Sequence, residues 1–204
     1  MQINYNRKQK SDIVISKPSG IEVGKYLKTW KNLKNYQLQE DALDKLFFEL
    51  LPSNEEISDI LLKVATLNDF YSTNIFSVYP VAEHILSLKI DERLKQGDVT
   101  LVNEIQNVTI NGVTRKFYSF STKYCSHHNP NEYPIYDSYV EKVLKYFRKT
   151  DKFFNFKNAD LKGYQKFKNI IIAFREYYGL EEFNLKEIDQ YLWQLGKEYF
   201  PNKY

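Results

Sequence analysis

The chain has 204 residues, 43% of them hydrophobic and 27% charged, with a net charge of +3. That composition excludes disorder, suits one domain, and permits a nucleic-acid partner without requiring one. A single cysteine, Cys125, excludes an intrachain disulfide, and no 18-residue apolar run is present for a membrane span.

Residues 1–18 are polar and basic, with Arg7, Lys8 and Lys10, and read as a loose arm ahead of a helical domain over 19–204. Ile21, Val23, Tyr26, Leu27, Trp30 and Leu33 recur at helical spacing. Gln39 to Leu51 forms the next helix, with Leu43, Leu46, Phe47 and Leu50 on one face and Pro52 as its stop. Ser53-Asn54-Glu55-Glu56 has the pattern of a capping box opening a helix through Ile60, Val64 and Leu67. That helix ends near Tyr71-Ser72-Thr73-Asn74, and another follows from Val78 to Leu88. Shorter helices are predicted over 91–96 and 101–106. Asn111-Gly112, flanked by β-branched residues, predicts a hairpin over 107–116.

A helix over 117–128 is stopped by Asn129-Pro130, and Asp137 opens another with Val140, Val143, Leu144 and Phe147 as its buried stripe. A long helix over 161–178 is closed by Gly179, and Asn184 caps the last one. The total is eight to ten helices with one hairpin, so the fold class is all-α.

The segment from Ser119 to Val140 carries the most chemistry-bearing residues. It resembles helix-hairpin-helix DNA glycosylases. Ile135-Tyr136-Asp137-Ser138-Tyr139-Val140 is similar to the segment that carries that superfamily's catalytic aspartate at a helix N-terminus. Lys123, 14 residues before Asp137, stands where lyase-competent members carry a catalytic lysine. Residues 64–85 resemble the family's early helix, polar turn and following helix, with Ser72, Thr73 and Asn74 in the turn that fills the gap left by a flipped base. The resemblance spans roughly residues 57–147. It departs at the hairpin, where the family's glycine-rich phosphate clamp is replaced by Gly112-Val113-Thr114-Arg115-Lys116.

The resemblance implies a two-lobed helical fold with a small β-hairpin and excision of a damaged or modified base from double-stranded DNA. The protein would be a cytoplasmic, nucleoid-associated monomer that needs no cofactor. Asp137 would stabilise a cationic sugar and Lys123 would act as a Schiff-base nucleophile. Tyr71, Phe120, Tyr124, Tyr136 and Trp193 are candidate walls for the extruded base, and Arg115 and Lys116 candidate DNA contacts. Bland alternatives stand beside each role: Asp137 as an N-cap only, Lys123 as a solvated lysine, the aromatics as core. Cys125, His127 and His128 share too little geometry on one helix for a metal site, and His128 with Asn129 suits the helix end. The basic residues 142–152 and 162–168 could line a phosphate-tracking groove. A non-catalytic nucleic-acid-binding module on the same fold, or a helical protein-interaction factor, remain open readings.

Overall fold

A computed structural model describes residues 14–201. The basic cluster Arg7, Lys8 and Lys10 lies outside the described residues. The described end of the expected loose arm is docked: Ile15 is buried, and its amide donates to the Tyr146 hydroxyl at 3.1 Å.

Ten α-helices are described: α1 (Gly20–Trp30), α2 (Lys34–Asp44), α3 (Ile57–Tyr71), α4 (Val78–Leu88), α5 (Asp91–Lys95), α6 (Thr100–Ile105), α7 (Tyr118–His128), α8 (Ser138–Thr150), α9 (Tyr164–Tyr177) and α10 (Leu185–Tyr199). A π-helical stretch, Lys45–Leu50, continues α2 up to Pro52, and a 3-10 turn, Asn158–Lys162, precedes α9. The hairpin β1 (Asn107–Ile110) and β2 (Val113–Lys116) pairs Ile110 with Val113 across Asn111 and Gly112. Both turn residues have positive φ, 50° and 76°, as a type I′ turn requires. The mainly helical architecture with one small antiparallel sheet agrees with the sequence reading.

Two local expectations need correction. Ser53 does not cap α3. Glu56 stands at the N-cap position with no side-chain cap hydrogen bond. The Ser53 segment is held instead by interior groups: its carbonyl accepts from Lys63 Nζ at 2.7 Å, and Asn54 is tied to Asp91 through its amide at 2.8 Å. The helix expected over 161–178 is divided, with Gly163 between the 3-10 turn and α9. Its end is as expected. Gly179 has φ +64°, and the Leu180 amide reaches back to the Arg175 carbonyl in a Schellman closure.

The most unusual element is α7. Phe120 through His127 are all buried, because α7 packs against α3, α5, α6 and the π-helical stretch. A helix buried all round is normally apolar. This one carries Ser121, Thr122, Lys123, Ser126 and His127. Ser121 Oγ donates to the Phe117 carbonyl at 3.0 Å, and Thr122 Oγ1 donates to the Ser119 carbonyl and accepts from the Tyr136 amide. Tyr124 and His128 point to Asn54. Asn54 Oδ1 in turn accepts from Lys63, whose burial pulls its pKa down to about 8 against the opposing pull of Asp91 and Asp59.

The far side of the site is set by α10, which crosses α8 and α1. Gly196 makes the closest approach: a Cβ there would stand 2.8 Å from the Tyr139 carbonyl oxygen and 2.6 Å from its Cβ. The obstruction is backbone and cannot rotate away. Gly196→Ala should therefore destabilise the protein by about 1–3 kcal/mol despite alanine's better helix propensity. Thermal unfolding checks this: the expected Tm drop is several degrees, at roughly 2–4 °C per kcal/mol, and an unchanged or raised Tm contradicts the packing.

Candidate functional site

A cavity of about 270 Å³ lies where α2, the end of α3, α7, the 130–137 loop and α10 meet. Lys123 and Asp137 both face it. Lys123 is only 3% exposed, so it is not a solvated surface lysine. Its ammonium donates to Ser119 Oγ at 2.7 Å and to the Tyr136 carbonyl at 3.4 Å. It stands 3.9 Å from Asp137 Oδ2 and 5.1 Å from the centre of the Tyr71 ring. Burial pushes its pKa down, while Asp137 and Asp189 pull it back up.

Asp137 serves two purposes. Oδ1 accepts from the Tyr139 amide at 2.8 Å and caps α8, while Oδ2 faces the lysine. The extended backbone at Asp137, φ −137° and ψ 155°, makes both contacts possible from one residue.

Tyr71 and Trp193 line the cavity as expected. The other three proposed walls do not. Phe120 and Tyr124 are core side chains, at 1% and 0% exposure, on the inner faces of α7. They fail as walls because α7 is enclosed on every side and only the stripe of Lys123, Ser126 and His127 reaches the cavity. Tyr136 turns away to bond Glu141 and Lys162.

The cavity has further walls that no sequence pattern marks. Trp30 and Tyr36 stack at 5.9 Å, and Trp193 meets them edge-on at 5.6 and 5.0 Å. His127 lines it with Nε2 3.0 Å from the Tyr71 hydroxyl. His128 and Asn129 do not cap the helix end with their side chains; His128 reaches Asn54 and Asn129 donates to the Leu94 carbonyl. Glu40, Asp44, Lys186 and Asp189 complete the polar lining. Glu40 accepts from Lys186 at 2.7 Å and from Trp30 Nε1 at 3.0 Å. Burial raises the pKa of Asp189 strongly and that of Asp44 as well. One weak signal for this side was available in sequence: Asp189 and Trp193 share a face of α10 at i, i+4.

The turn proposed to enter DNA follows α3. Ser72 stands at the cavity and Asn74 is exposed, both with positive φ. Asn68 braces the turn, its Oδ1 accepting from Thr73 Oγ1 at 2.8 Å and the Ile75 amide at 2.9 Å. Phe76, which no sequence pattern singles out, projects from this turn at 98% exposure. Arg115 and Lys116 are exposed on β2. Much of the expected basic groove is already neutralised: Lys145 and Lys162 pair with Glu141, Lys166 with Asp160, and Lys168 with Glu132.

This is a helical domain whose central feature is a buried lysine beside a half-buried aspartate in an aromatic cavity. The family profile HI_0787_N, described as an N-terminal domain, matches residues 22–132, and the chain belongs to this family. An "uncharacterized protein" of Haemophilus influenzae (strain Rd) is 57% identical over 146 residues, covering 71% of this chain and 70% of the relative. No solved structure matches the chain. Among the described residues, no helix is long and apolar enough to cross a membrane.

His127 gives a pH-dependent signature. Burial, with Lys186 and Lys123 nearby, pulls its pKa down to about 3 from 6.5. The unfolded chain then binds a proton that the folded chain refuses. Stability is full above 6.5 and falls as pH drops toward 3, by about 1.4 kcal/mol per pH unit for such a group. His128 shifts the same way. Urea unfolding between pH 7 and 4.5 should show this slope, made shallower by His127→Gln. An unaltered slope in the variant would contradict a neutral buried His127.

Proposed function

We propose that the protein is a DNA glycosylase that extrudes a damaged or modified base from double-stranded DNA into the aromatic cavity and cleaves its N-glycosidic bond. The reading rests chiefly on one observation: Lys123 is buried against Asp137 at 3.9 Å on the wall of a ring-sized cavity. Burying an amine is costly, and such costs are retained where the group acts. The resemblance of residues 57–147 to helix-hairpin-helix glycosylases gives the pair its roles.

Burial favours the free amine of Lys123, the nucleophilic form. Nζ forms a bond to C1′ as the C1′–N bond breaks, and the base leaves with the bonding pair and takes up the first proton shed by the alkylated Nζ. The resulting N,O-acetal opens to an imine as the C1′–O4′ bond breaks and the second Nζ proton passes to the ring oxygen O4′. Asp137 stabilises the positive charge that develops on the sugar during this exchange. Without lysine attack, the same carboxylate can direct a water to C1′ and complete a simple hydrolysis.

In the turn that carries Ser72, Thr73 and Asn74, the wedge is Phe76. An exposed apolar ring on a braced turn beside the cavity suits a wedge inserted where the base leaves the stack.

The experiment is release of free bases from oxidised, alkylated, deaminated and hypermodified DNAs, read by mass spectrometry. Wild type should release at least one base, Asp137→Asn should abolish release, and Lys123→Ala should abolish trapping of an imine by borohydride. Salt-dependent binding without release from any DNA would instead favour a binding module. Phe76→Ala should lower excision from duplex DNA on the order of tenfold and leave single-stranded substrate nearly unaffected. Equal loss on both substrates would rule out a wedge.

A further inference from the structure

A free amine has two N–H bonds and one lone pair, and only the lone pair can form a bond to carbon. The surroundings of Lys123 decide which way that pair points. Nζ has two acceptors, Ser119 Oγ at 2.7 Å and the Tyr136 carbonyl at 3.4 Å. The Ser119 hydroxyl proton is itself given to the Tyr136 carbonyl at 3.3 Å, so the serine oxygen meets Nζ as an acceptor. Neither Ser119 nor Tyr136 lines the cavity, whereas Lys123 and Asp137 do. Both N–H bonds are thus drawn behind the cavity wall. The remaining tetrahedral position of Nζ faces the open side, where Asp137 Oδ2 stands at 3.9 Å, beyond hydrogen-bond distance.

We infer that Ser119 is a positioning residue for Lys123, one that turns the lone pair of the free amine into the cavity. The inference deepens the nucleophile reading above and rests on it for the reaction that is served. Ser119 lies one helical turn before Lys123 on α7, so the two side chains share a face. Removing its hydroxyl has two effects of opposite sign. Hydrogen bonds to an ammonium are stronger than those to an amine, so losing the acceptor lowers the Lys123 pKa and leaves more free amine at neutral pH. Losing the second anchor also frees Nζ to rotate, which slows attack. The other groups around Nζ stay in place: Asp137 at the start of α8, Asp189 on α10, His127 on α7 and the Tyr71 ring on α3. A serine that only tuned the charge would therefore speed the amine's reactions when removed, and one that orients it slows them.

The test uses the full chain and needs no DNA. Benzaldehyde is the probe, with cyanoborohydride present at neutral pH. Nζ adds to the carbonyl carbon, the oxygen leaves as water with both amine protons, and hydride with a solvent proton fixes the imine as a secondary amine. Peptide mass spectrometry reads the rate at Lys123, with the exposed lysines as the internal standard. In Ser119→Ala, checked for folding by circular dichroism, Lys123 labelling should slow about tenfold while its nitrogen resonance titrates lower than in wild type. Ser119→Thr, which keeps the hydroxyl, should restore both. An unchanged or faster rate in Ser119→Ala, an unmoved titration, no rescue by threonine, or no labelling of Lys123 in wild type would each overturn the inference. Serine-dependent labelling in a protein that releases no base from any DNA would support this role of Ser119 while sinking the glycosylase reading. Base release with labelling indifferent to Ser119 would overturn the positioning role alone.

Discussion

The burial of the Lys123 ammonium is the constraint around which the site is arranged. A lysine at 3% exposure must find its partners inside the protein. Ser119, one helical turn earlier, supplies an oxygen at 2.7 Å, and the Tyr136 carbonyl supplies another. Those contacts pin the 130–137 loop against α7. Ser119 Oγ reinforces them by donating to the same Tyr136 carbonyl at 3.3 Å. With the loop fixed, Asp137 starts α8 where its second oxygen faces the amine. One buried cation thus fixes the end of a loop, the start of a helix and the placement of a carboxylate.

A second buried lysine does comparable work on the opposite side of α7. Lys63 donates to the Leu51 and Ser53 carbonyls and to Asn54 Oδ1, and Asn54 also accepts from Tyr124 and bonds Asp91. This network anchors the segment between the π-helical stretch and α3, and so positions the α2 side of the cavity. The two lysines differ in their surroundings. Lys63 is surrounded by fixed protein acceptors and has a structural part. Lys123 has a carboxylate on one side and a cavity on the other, which is where a reacting atom can enter.

Local features of the sequence were legible where the deciding interaction was local. Asn111-Gly112 specified its hairpin, because positive φ at two consecutive residues is a property of those residues. Asp137 was legible as a cap and as a site residue, since both uses depend on its place before α8. The capping box at Ser53 failed because Lys63 and Asp91, distant in sequence, compete for the same segment. Phe120 and Tyr124 were misread as walls because α7 is buried on all faces, so residue type alone could not tell cavity from core. Asp189, Trp30, Tyr36 and His127 have no shared sequence signal because they come from four separate helices, and only tertiary packing brings them together. Close crossing at Gly196, which holds α10 on α8, has no signature in a single sequence beyond a glycine in a helix.

The state of the Lys123 amine decides what the site can do, and its titration is the most direct measurement. The nitrogen resonance of Lys123 can be followed with pH in the labelled protein and assigned with Lys123→Arg. Lys123 should titrate below the ordinary lysine value of 10.5, and lower still in Asp137→Asn, because burial pushes the proton off and Asp137, with Asp189, helps to hold it on. A Lys123 that titrates at or above that value, or that Asp137→Asn leaves unmoved, would contradict a buried amine paired with Asp137.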